Sequence, residues 1–272
     1  MMNLNLSNFY VTIFIFTGIC VGLATGLLGV GGGFILVPAQ YWFLESIGIN
    51  STIAIRVAFG TSLAVILPTA ISGAYGHYCR KCVFIKPGII MGFSGLLAGF
   101  IGGFIASNIN GDFLRVLFGI MLIGVSIQMM VFRKKSHKVE KIENNYYYIL
   151  LGLIAGILSG LLGIGGGVIM VPILVLIMGF TMLEAVGTST VVIIFTTIGG
   201  LTSYIYYGLG VGGLPPYSLG YVNLVQMVIL ILFTVPMAQI GLRAAHKLPD
   251  KYLKIIFALV LLYMALKMIG II

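Results

Sequence analysis

Two short glycine runs are the part of this sequence whose residue types and spacing could do chemistry. Four of the five residues at 29–33 are glycine, and the same is true at 163–167. Each glycine costs ~1 kcal/mol relative to alanine in a helix, so both runs disfavour a continuous helix. A helix that begins just after such a break points free amide N–H groups and its positive dipole end at the break, which suits an anion without any charged side chain. The alternative is a bend that serves only packing.

The candidate anion-binding residues are glycines of these runs and the hydroxyl residues that follow them. Thr61/Ser62 and Thr188/Ser189 stand early in the apolar segments beyond each run, where their hydroxyl groups could donate to an oxyanion. Alternatively, each hydroxyl bonds a carbonyl one turn earlier in its own helix. The predicted substrate-binding residues are Gly31, Gly32, Gly33, Thr61, Ser62, Gly165, Gly166, Gly167, Thr188 and Ser189.

Cysteine and histidine residues do not assemble a metal site or a catalytic set. Cys79 and Cys82, with His77 nearby, look like half of a zinc site, but a structural zinc ion needs four ligands and the sequence has no second cysteine pair. We interpret both as free thiols. No Ser/His/Asp set can be drawn from the apolar segments, because His77, His137 and His246 all fall in basic loops. We therefore expect no enzyme activity, no catalytic residue, no metal and no cofactor.

The composition indicates which elements must position the glycine runs. Of the 272 residues, 60% are hydrophobic and only 8% are charged, whereas soluble domains carry about 25% charged residues. So few charges cannot cover a surface that faces water, and we predict that most of the chain lies in lipid. A crossing helix needs ~20 apolar residues. The apolar segments fall at 9–28, 34–49, 52–75, 84–106, 113–132, 146–162, 168–180, 184–207, 218–241 and 252–272.

Two of these segments are short, and a few polar residues interrupt the others. The segments 34–49 and 168–180 could be tilted crossings or parts of re-entrant hairpins. Arg56 and Glu184 stand near the same level of the two halves; an ionisable group inside a membrane is a functional candidate, although a position close to a helix start favours the interface. The uncharged candidates for lining a path or bridging helices are Gln40, Gln128, Asn223, Gln226 and Gln239.

The two halves of the chain repeat one another. The seventeen residues at 22–38 return at 156–172 with eleven identities. We divide the chain into a first membrane repeat at 1–132, a basic cytoplasmic linker at 133–145 and a second membrane repeat at 146–272. Ladders of small residues at a spacing of four, which let helices approach closely, are Gly18/Gly22/Gly26, Gly152/Gly156/Gly160 and Gly95/Gly99/Gly103.

Basic residues give an orientation and, from it, a relation between the repeats. Because basic loops stay cytoplasmic, we place 77–86, 133–141 and 243–254 inside, with the N-terminus and the uncharged loop 208–217 outside. The net charge of +9 then reflects orientation rather than nucleic-acid binding. Since 77–86 corresponds to 208–217, equivalent loops fall on opposite sides, which predicts inverted repeats with a substrate site near the midplane. Parallel copies, or a duplication that serves no transport, are the alternatives.

These motifs together resemble the TauE/SafE sulfite-exporter family of membrane transporters. The resemblance is carried by the duplicated Gly-Leu-Leu-Gly-Val/Ile-Gly-Gly-Gly, followed five residues later by Pro38 or Pro172, and by Gly-Thr-Ser at 60–62 and 187–189. It extends over the whole chain. Members of that family export or take up sulfite, sulfonates and related small sulfur-containing anions, and the resemblance implies that substrate class.

We therefore predict an all-α membrane protein, a polytopic helical bundle of two inverted repeats with broken or re-entrant glycine-rich helices and about 8–10 membrane segments. The expected function is secondary transport of a small sulfur-containing anion, held between the repeats at the amino ends of broken helices. A passive anion channel on the same scaffold is the alternative. The expected partners are the small anion and the lipid bilayer of the cell membrane, with no nucleic acid. The sequence leaves open a coupling proton or ion and a homodimer.

Overall fold

The structure is a computed structural model of the chain. It describes residues 4–28, 31–131, 144–244 and 250–271. Most of the predicted basic linker at 133–145 lies outside the described residues, and so do Gly29, His246 and Lys247.

Within the described residues the chain folds into ten α-helices, five in each predicted repeat, and each falls on one of the predicted apolar segments. The helices are α1 (Leu4–Leu28), α2 (Gly33–Ser46), α3 (Ser51–Tyr78), α4 (Ile85–Asn108), α5 (Gly111–Val131), α6 (Asn145–Leu162), α7 (Gly167–Leu176), α8 (Met182–Gly208), α9 (Leu224–Ala244) and α10 (Asp250–Ile269). The only strands in the described part of the chain are β1 (Ser218–Leu219) and β2 (Val222–Asn223), which pair as a small antiparallel hairpin.

Six of the described helices are long and apolar enough to cross a membrane, namely α3, α4, α5, α6, α8 and α9. One face of α4 carries Phe93, Leu97 and Ile101, whose side chains are 60%, 66% and 50% exposed. A row of large apolar side chains facing outward is unfavourable in water and suits contact with lipid. The prediction of a polytopic, all-α membrane protein is confirmed.

The helices that follow the glycine runs are half-length. α2 has 14 residues and α7 has 10, so they span only ~21 Å and ~15 Å at 1.5 Å per residue. Neither crosses a hydrocarbon core of ~30 Å. The long helices α3 and α8 follow them and pack against each other at the centre, where 78% of the apolar span of α3 and 67% of that of α8 are buried.

Glycine ladders pack the two repeats across one another. α1 lies along α9, and α6 lies along α4. A Cβ atom added to Gly22 would lie 2.5 Å from the carbonyl oxygen of Thr234, and one added to Gly156 would collide with the carbonyl oxygen of Gly95. Only residues without a side chain permit such an approach. The predicted ladders therefore form close helix contacts between the repeats.

The same contacts give the directions of the helices. Residues 152–160 of α6 meet residues 91–99 of α4 in the same order, so α4 and α6 run in parallel. Residues 18–26 of α1 meet residues 230–242 of α9 in the same order, so α1 and α9 also run in parallel. Each first helix of a repeat is thus a neighbour of the fourth helix of the other repeat.

Replacing Gly156 by alanine should lower the thermal stability of the protein, because the new methyl group forces α6 away from Gly95 on α4. Overpacking of this kind costs ~1–3 kcal/mol. Gly124→Ala is the matched control, since a Cβ at Gly124 meets nothing within 4 Å. Unfolding of the purified variants in detergent should give a midpoint several degrees lower for Gly156→Ala alone. Equal midpoints would contradict the tight seam between α4 and α6.

The start of α9 differs from the sequence expectation. The apolar segment was predicted from 218, whereas the helix begins at Leu224 and residues 218–223 form the hairpin. Tyr217 and Gly220 have positive φ angles of 61° and 57°, which turn the chain on either side of β1. The side-chain oxygen of Asn223 then accepts a bond from the N–H of Gln226, 3.0 Å away. This is the contact of a helix N-cap and fixes where α9 starts.

Candidate functional site

Each glycine run breaks the chain between a long helix and a half-helix. Gly32 is the N-cap of α2 with a φ of 73°, and Gly166 is the N-cap of α7 with a φ of 78°. The preceding residues Gly31 and Gly165 have φ angles of 86° and 82°. The left-handed region is strained for residues with a Cβ atom, and glycine adopts it freely. Two successive left-handed residues therefore explain why each break needs a run of glycines.

The two breaks meet in the interior of the protein. Residues 31–38 and 162–168 are all buried. A Cβ atom added to Gly33 would lie 2.7 Å from the Cα atom of Ile164, so the breaks are in direct backbone contact. Ile66 of α3 and Ile193 of α8 approach both Gly31 and Gly165.

The amino ends of α2 and α7 point into this junction without a side-chain cap. The carbonyl of Gly32 accepts the N–H groups of Ile35 and Leu36 at 3.1 and 3.2 Å, and the carbonyl of Gly166 accepts those of Ile169 and Met170. The N–H groups at the first two positions of each helix have no carbonyl within their own helix to bond. Two helix ends, each with the electrostatic effect of about half a positive charge, therefore converge on the junction.

Two hydroxyl residues at the breaks, Thr25 and Ser159, were not among the binding residues predicted from the sequence. The Oγ1 atom of Thr25 and the Oγ atom of Ser159 are buried and have no hydrogen-bond partner among the described residues. A Cβ atom added to Gly32 would lie 2.6 Å from Thr25 Oγ1, and one added to Gly166 would lie 3.4 Å from Ser159 Cβ. Both stand at the same place in the repeated seventeen-residue motif, which is the signal that could have identified them.

The predicted threonines bind the connections between helices. Thr61 Oγ1 accepts the N–H of Asn223 at 2.9 Å, at the start of α9. Thr188 Oγ1 accepts the N–H of Phe84 at 3.1 Å, just before α4. Each threonine thus anchors the connection that precedes the fourth helix of the opposite repeat. These hydrogen bonds direct both hydroxyl groups to the helix connections and not to the glycine junction.

The predicted serines lie closer to the junction. Ser189 donates to the carbonyl oxygen of Val186 at 2.8 Å, which is the alternative role expected for a helical hydroxyl. Ser62 Oγ is buried without a partner among the described residues. Ser62 and Ser189 stand one helical turn before Ile66 and Ile193, the two residues that border the glycine breaks.

The ionisable candidates lie at helix ends. The two terminal nitrogens of Arg56 donate to the hydroxyl of Tyr221 at 3.1 Å and to the carbonyl of Ile109 at 2.8 Å. Glu184 and Thr181 form a reciprocal capping box at the start of α8, which stabilises a helix N-terminus. These bonds give both residues a structural role near the ends of α3 and α8.

The amide and cysteine candidates have mixed environments. Gln239 donates to the carbonyl oxygen of Ser72 at 2.8 Å. Gln40 is fully buried, and its amide atoms have no partner among the described residues. Cys79 and Cys82 are free thiols. Within the described part of the chain, no three His, Cys, Asp or Glu residues group closely enough to hold a metal ion.

A small cavity lies beside the first break. Its walls come from α1, α3, α8, α9 and the break itself, including Thr25, Gly31, Ala70, His77 and Gln239. The volume that the centre of a water molecule can occupy in this cavity is ≈ 20 Å³. The cavity therefore has room for about one water molecule. The cavity follows the second half of α3, from Thr69 to His77, so it leads from the junction toward the basic loop after α3.

The equivalent region beside the second break is packed more closely. A Cβ atom added to Gly200 would lie 2.8 Å from Leu63, whereas one added to its counterpart Gly73 would lie 3.7 Å from the nearest atom, on Thr190. α4 also packs more extensively on α8 than α9 packs on α3. Two repeats of similar sequence therefore adopt different packing on the two sides of the junction.

The fold and the site together define the class of protein. Half-helices that begin at a buried junction between two repeats are the organisation of a membrane transporter. The family model of the sulfite exporter TauE/SafE matches residues 14–268. The chain therefore belongs to the TauE/SafE family, and the family resemblance seen in the sequence is confirmed.

Named relatives agree with this class. A protein of Methanocaldococcus jannaschii, named a probable membrane transporter protein, is 34% identical over 260 residues, which cover 94% of each chain. A protein of Haemophilus influenzae with the same description is 28% identical over 259 residues, covering 95% of this chain and 98% of the relative. No solved structure matches the chain. The protein is a multi-pass membrane transporter, and these relatives are named as transporters rather than enzymes.

Proposed function

We propose that this transporter carries a small sulfur-containing anion, such as sulfite or a sulfonate, by secondary transport. The observation that carries the proposal is the meeting of two uncapped helix N-termini in a buried junction. Backbone N–H groups and dipole ends bind an oxyanion without a fixed cation, so the anion is not held too tightly to be released. The family description supports sulfite or a related compound as the substrate. The proposed ligands are the amide groups of Gly31, Gly32, Gly33, Gly165, Gly166 and Gly167.

The proposed mechanism requires inverted repeats, and the helix directions support them. Gly60, early in α3, and Gly208, at the end of α8, both contact the backbone of Tyr221. Gly187, early in α8, contacts the backbone of Cys82, which follows the end of α3. The equivalent helices α3 and α8 therefore run in opposite directions, as inversion demands.

We place the basic face of the bundle in the cytoplasm. Arg80 donates to the carbonyl oxygen of Leu242 at 3.5 Å, so the loop after α3 and the end of α9 lie at the same face. Arg80, Lys81 and Arg243 are all at this face, and basic residues are retained on the cytoplasmic side. The opposite face then contains the loop at 208–217.

Unequal packing of the two repeats supports alternating access. The cavity beside the first break extends along the second half of α3, on the side of the basic face, while beside the second break α4 packs more extensively on α8 than its counterpart α9 packs on α3. In an inverted pair, exchanging the two packings would close one side and open the other around the same site. The structure then corresponds to a state that faces the cytoplasm.

Uptake into proteoliposomes tests the proposal directly. Purified protein should take up sulfite, thiosulfate or a small sulfonate in preference to sulfate, with saturable kinetics and with acceleration by unlabelled substrate on the other side. Comparing rates with and without a pH gradient identifies a coupling proton. Protein-free liposomes provide the background.

Two outcomes would contradict the proposed function. Flux of all four anions equal to the protein-free background would exclude them as substrates. Flux that rises linearly with concentration and shows no counterflow would assign the protein as a passive anion channel on the same scaffold.

A further inference from the structure

We propose that Thr25 and Ser159 form a pair of equivalent hydroxyl ligands, one beside each half-helix N-terminus, that bind the oxygens of the transported anion. This inference rests on the proposed function and specifies the site further. The hydroxyl of Thr25 acts with the amino end of α2, and the hydroxyl of Ser159 acts with the amino end of α7.

The first argument is the unsatisfied state of both hydroxyls. Thr25 is 8% exposed and Ser159 is 0% exposed, and neither hydroxyl oxygen has a hydrogen-bond partner among the described residues. Buried helical hydroxyls usually bond a carbonyl one turn earlier, as Thr69 does with Val65 at 2.8 Å and Thr197 does with Ile193 at 2.6 Å. A buried hydroxyl without a partner costs free energy, which a ligand that accepts its hydrogen bond would recover.

The second argument is the position of the hydroxyls relative to the helix ends. Thr25 Oγ1 would lie 2.6 Å from a Cβ on Gly32, the N-cap of α2, and Ser159 Cβ would lie 3.4 Å from a Cβ on Gly166, the N-cap of α7. Each of these hydroxyl residues therefore lies directly beside the N-cap glycine of its half-helix. An anion bound at either break can accept bonds from the hydroxyl and from a free N–H group together.

The third argument is the repetition of this arrangement. Thr25 and Ser159 occupy equivalent positions in the two copies of the seventeen-residue motif. Of the other buried hydroxyls without a partner among the described residues, Ser62 is not one of an equivalent pair, because its counterpart Ser189 donates to the carbonyl oxygen of Val186. Ser203 packs against Gly103, and Thr234 packs against Gly18. Those two lie in seams between helices, whereas Thr25 and Ser159 lie at the breaks.

The donor set defines the ligand chemistry. Hydroxyl and amide groups donate to an anion that carries several acceptor oxygens, and no carboxylate or ammonium group is needed to neutralise it. The three oxygens of sulfite or of a sulfonate offer several acceptors to such donors, whereas a halide ion has a single acceptor centre.

Binding to purified protein in detergent tests the pair separately from transport. Titration calorimetry with freshly prepared sodium sulfite, against sodium chloride at equal ionic strength, should show a dissociation constant at least tenfold higher for Thr25→Val and for Ser159→Ala. Thr25→Ser and Ser159→Thr, which keep a hydroxyl, should bind sulfite within about threefold of the unaltered protein. Thr202→Val removes a hydroxyl bonded to the carbonyl of Ile198, away from the breaks, and should leave binding unchanged.

Each further outcome separates this inference from the proposed function. Normal binding by the double variant Thr25→Val/Ser159→Ala, in a protein that still transports sulfite, would overturn the hydroxyl pair and leave the proposed function standing. An unaltered protein that neither binds nor transports any sulfur-containing anion would overturn both. Monodisperse elution of each variant, together with recovery of binding in Thr25→Ser, shows that a lost affinity is not a folding defect.

Discussion

Replacing Gly32 by valine should reduce anion uptake at least 100-fold while the protein still inserts into the membrane. The valine Cβ would lie 2.5 Å from Val21 Cγ1 and 2.6 Å from Thr25 Oγ1, so it would displace the proposed hydroxyl ligand from the amino end of α2. The φ of 73° at Gly32 adds backbone strain, which costs ~1–2 kcal/mol for a residue with a Cβ atom. Uptake of labelled sulfite by proteoliposomes, normalised to the amount of reconstituted protein, measures the loss.

The control for this variant separates backbone strain from obstruction of the break. Gly48, in the connection between α2 and α3, has a φ of 85°, and a Cβ atom there meets nothing within 4 Å. Gly48→Val therefore carries a comparable strain without filling the junction, and its uptake should stay within about twofold of the unaltered protein. If Gly32→Val transported as fast as Gly48→Val, the break at Gly32 could not be the anion site.

Much of the fold could be predicted because local composition determines it. The low fraction of charged residues requires a lipid environment for any ordered bundle of these helices. The glycine runs predict breaks because consecutive glycines disfavour a continuous helix, and the breaks occur at Gly31–Gly32 and Gly165–Gly166 with left-handed backbone. The ladder glycines predict close approach because they lack side chains, although the sequence does not say which helices they join.

The site was harder to predict because its hydroxyl groups depend on long-range contacts. Thr61 and Thr188 follow the glycine runs in sequence, but their bonds go to Asn223 and Phe84, far along the chain. Thr25 and Ser159 precede the runs and become relevant only because the chain turns back onto its own helix at Gly32 and Gly166. The repeated motif contained this signal, since both copies have a hydroxyl at that position.

Unequal packing of the repeats has a cause in particular residues. On α4, the positions that face the opposite repeat are Gly95, Gly99 and Gly103, and their counterparts on α9 are Thr234, Ala238 and Leu242. Bare backbone lets α4 approach α6 and α8 closely, whereas the larger side chains on α9 hold it farther from α3. This difference leaves space beside Gly31 that is filled on the other side.

The unequal packing should be visible as a large difference in cysteine reactivity between equivalent positions. Ala70 of α3 is 3% exposed and lines the cavity, whereas its counterpart Thr197 of α8 is 0% exposed and is not among the residues that line it. In a protein whose native Cys20, Cys79 and Cys82 are replaced by serine, Ala70→Cys should react with a small methanethiosulfonate at least tenfold faster than Thr197→Cys. A thiol reacts as its thiolate and only where water and reagent reach it, so the ratio of rates reports which side of the junction is open.

The same measurement tests the mechanism when the reagent is added at one membrane face at a time and when sulfite is present. Reagent added at the cytoplasmic face, in inverted membrane vesicles, should modify Ala70→Cys, and saturating sulfite should slow the reaction because the anion occupies the adjoining break. Equal rates for the two cysteines would contradict a state open on one side only. Faster reaction of Ala70→Cys from the external face would reverse the proposed orientation, because the cavity beside Gly31 leads toward the end of α3 at which Arg80 and Arg243 are found.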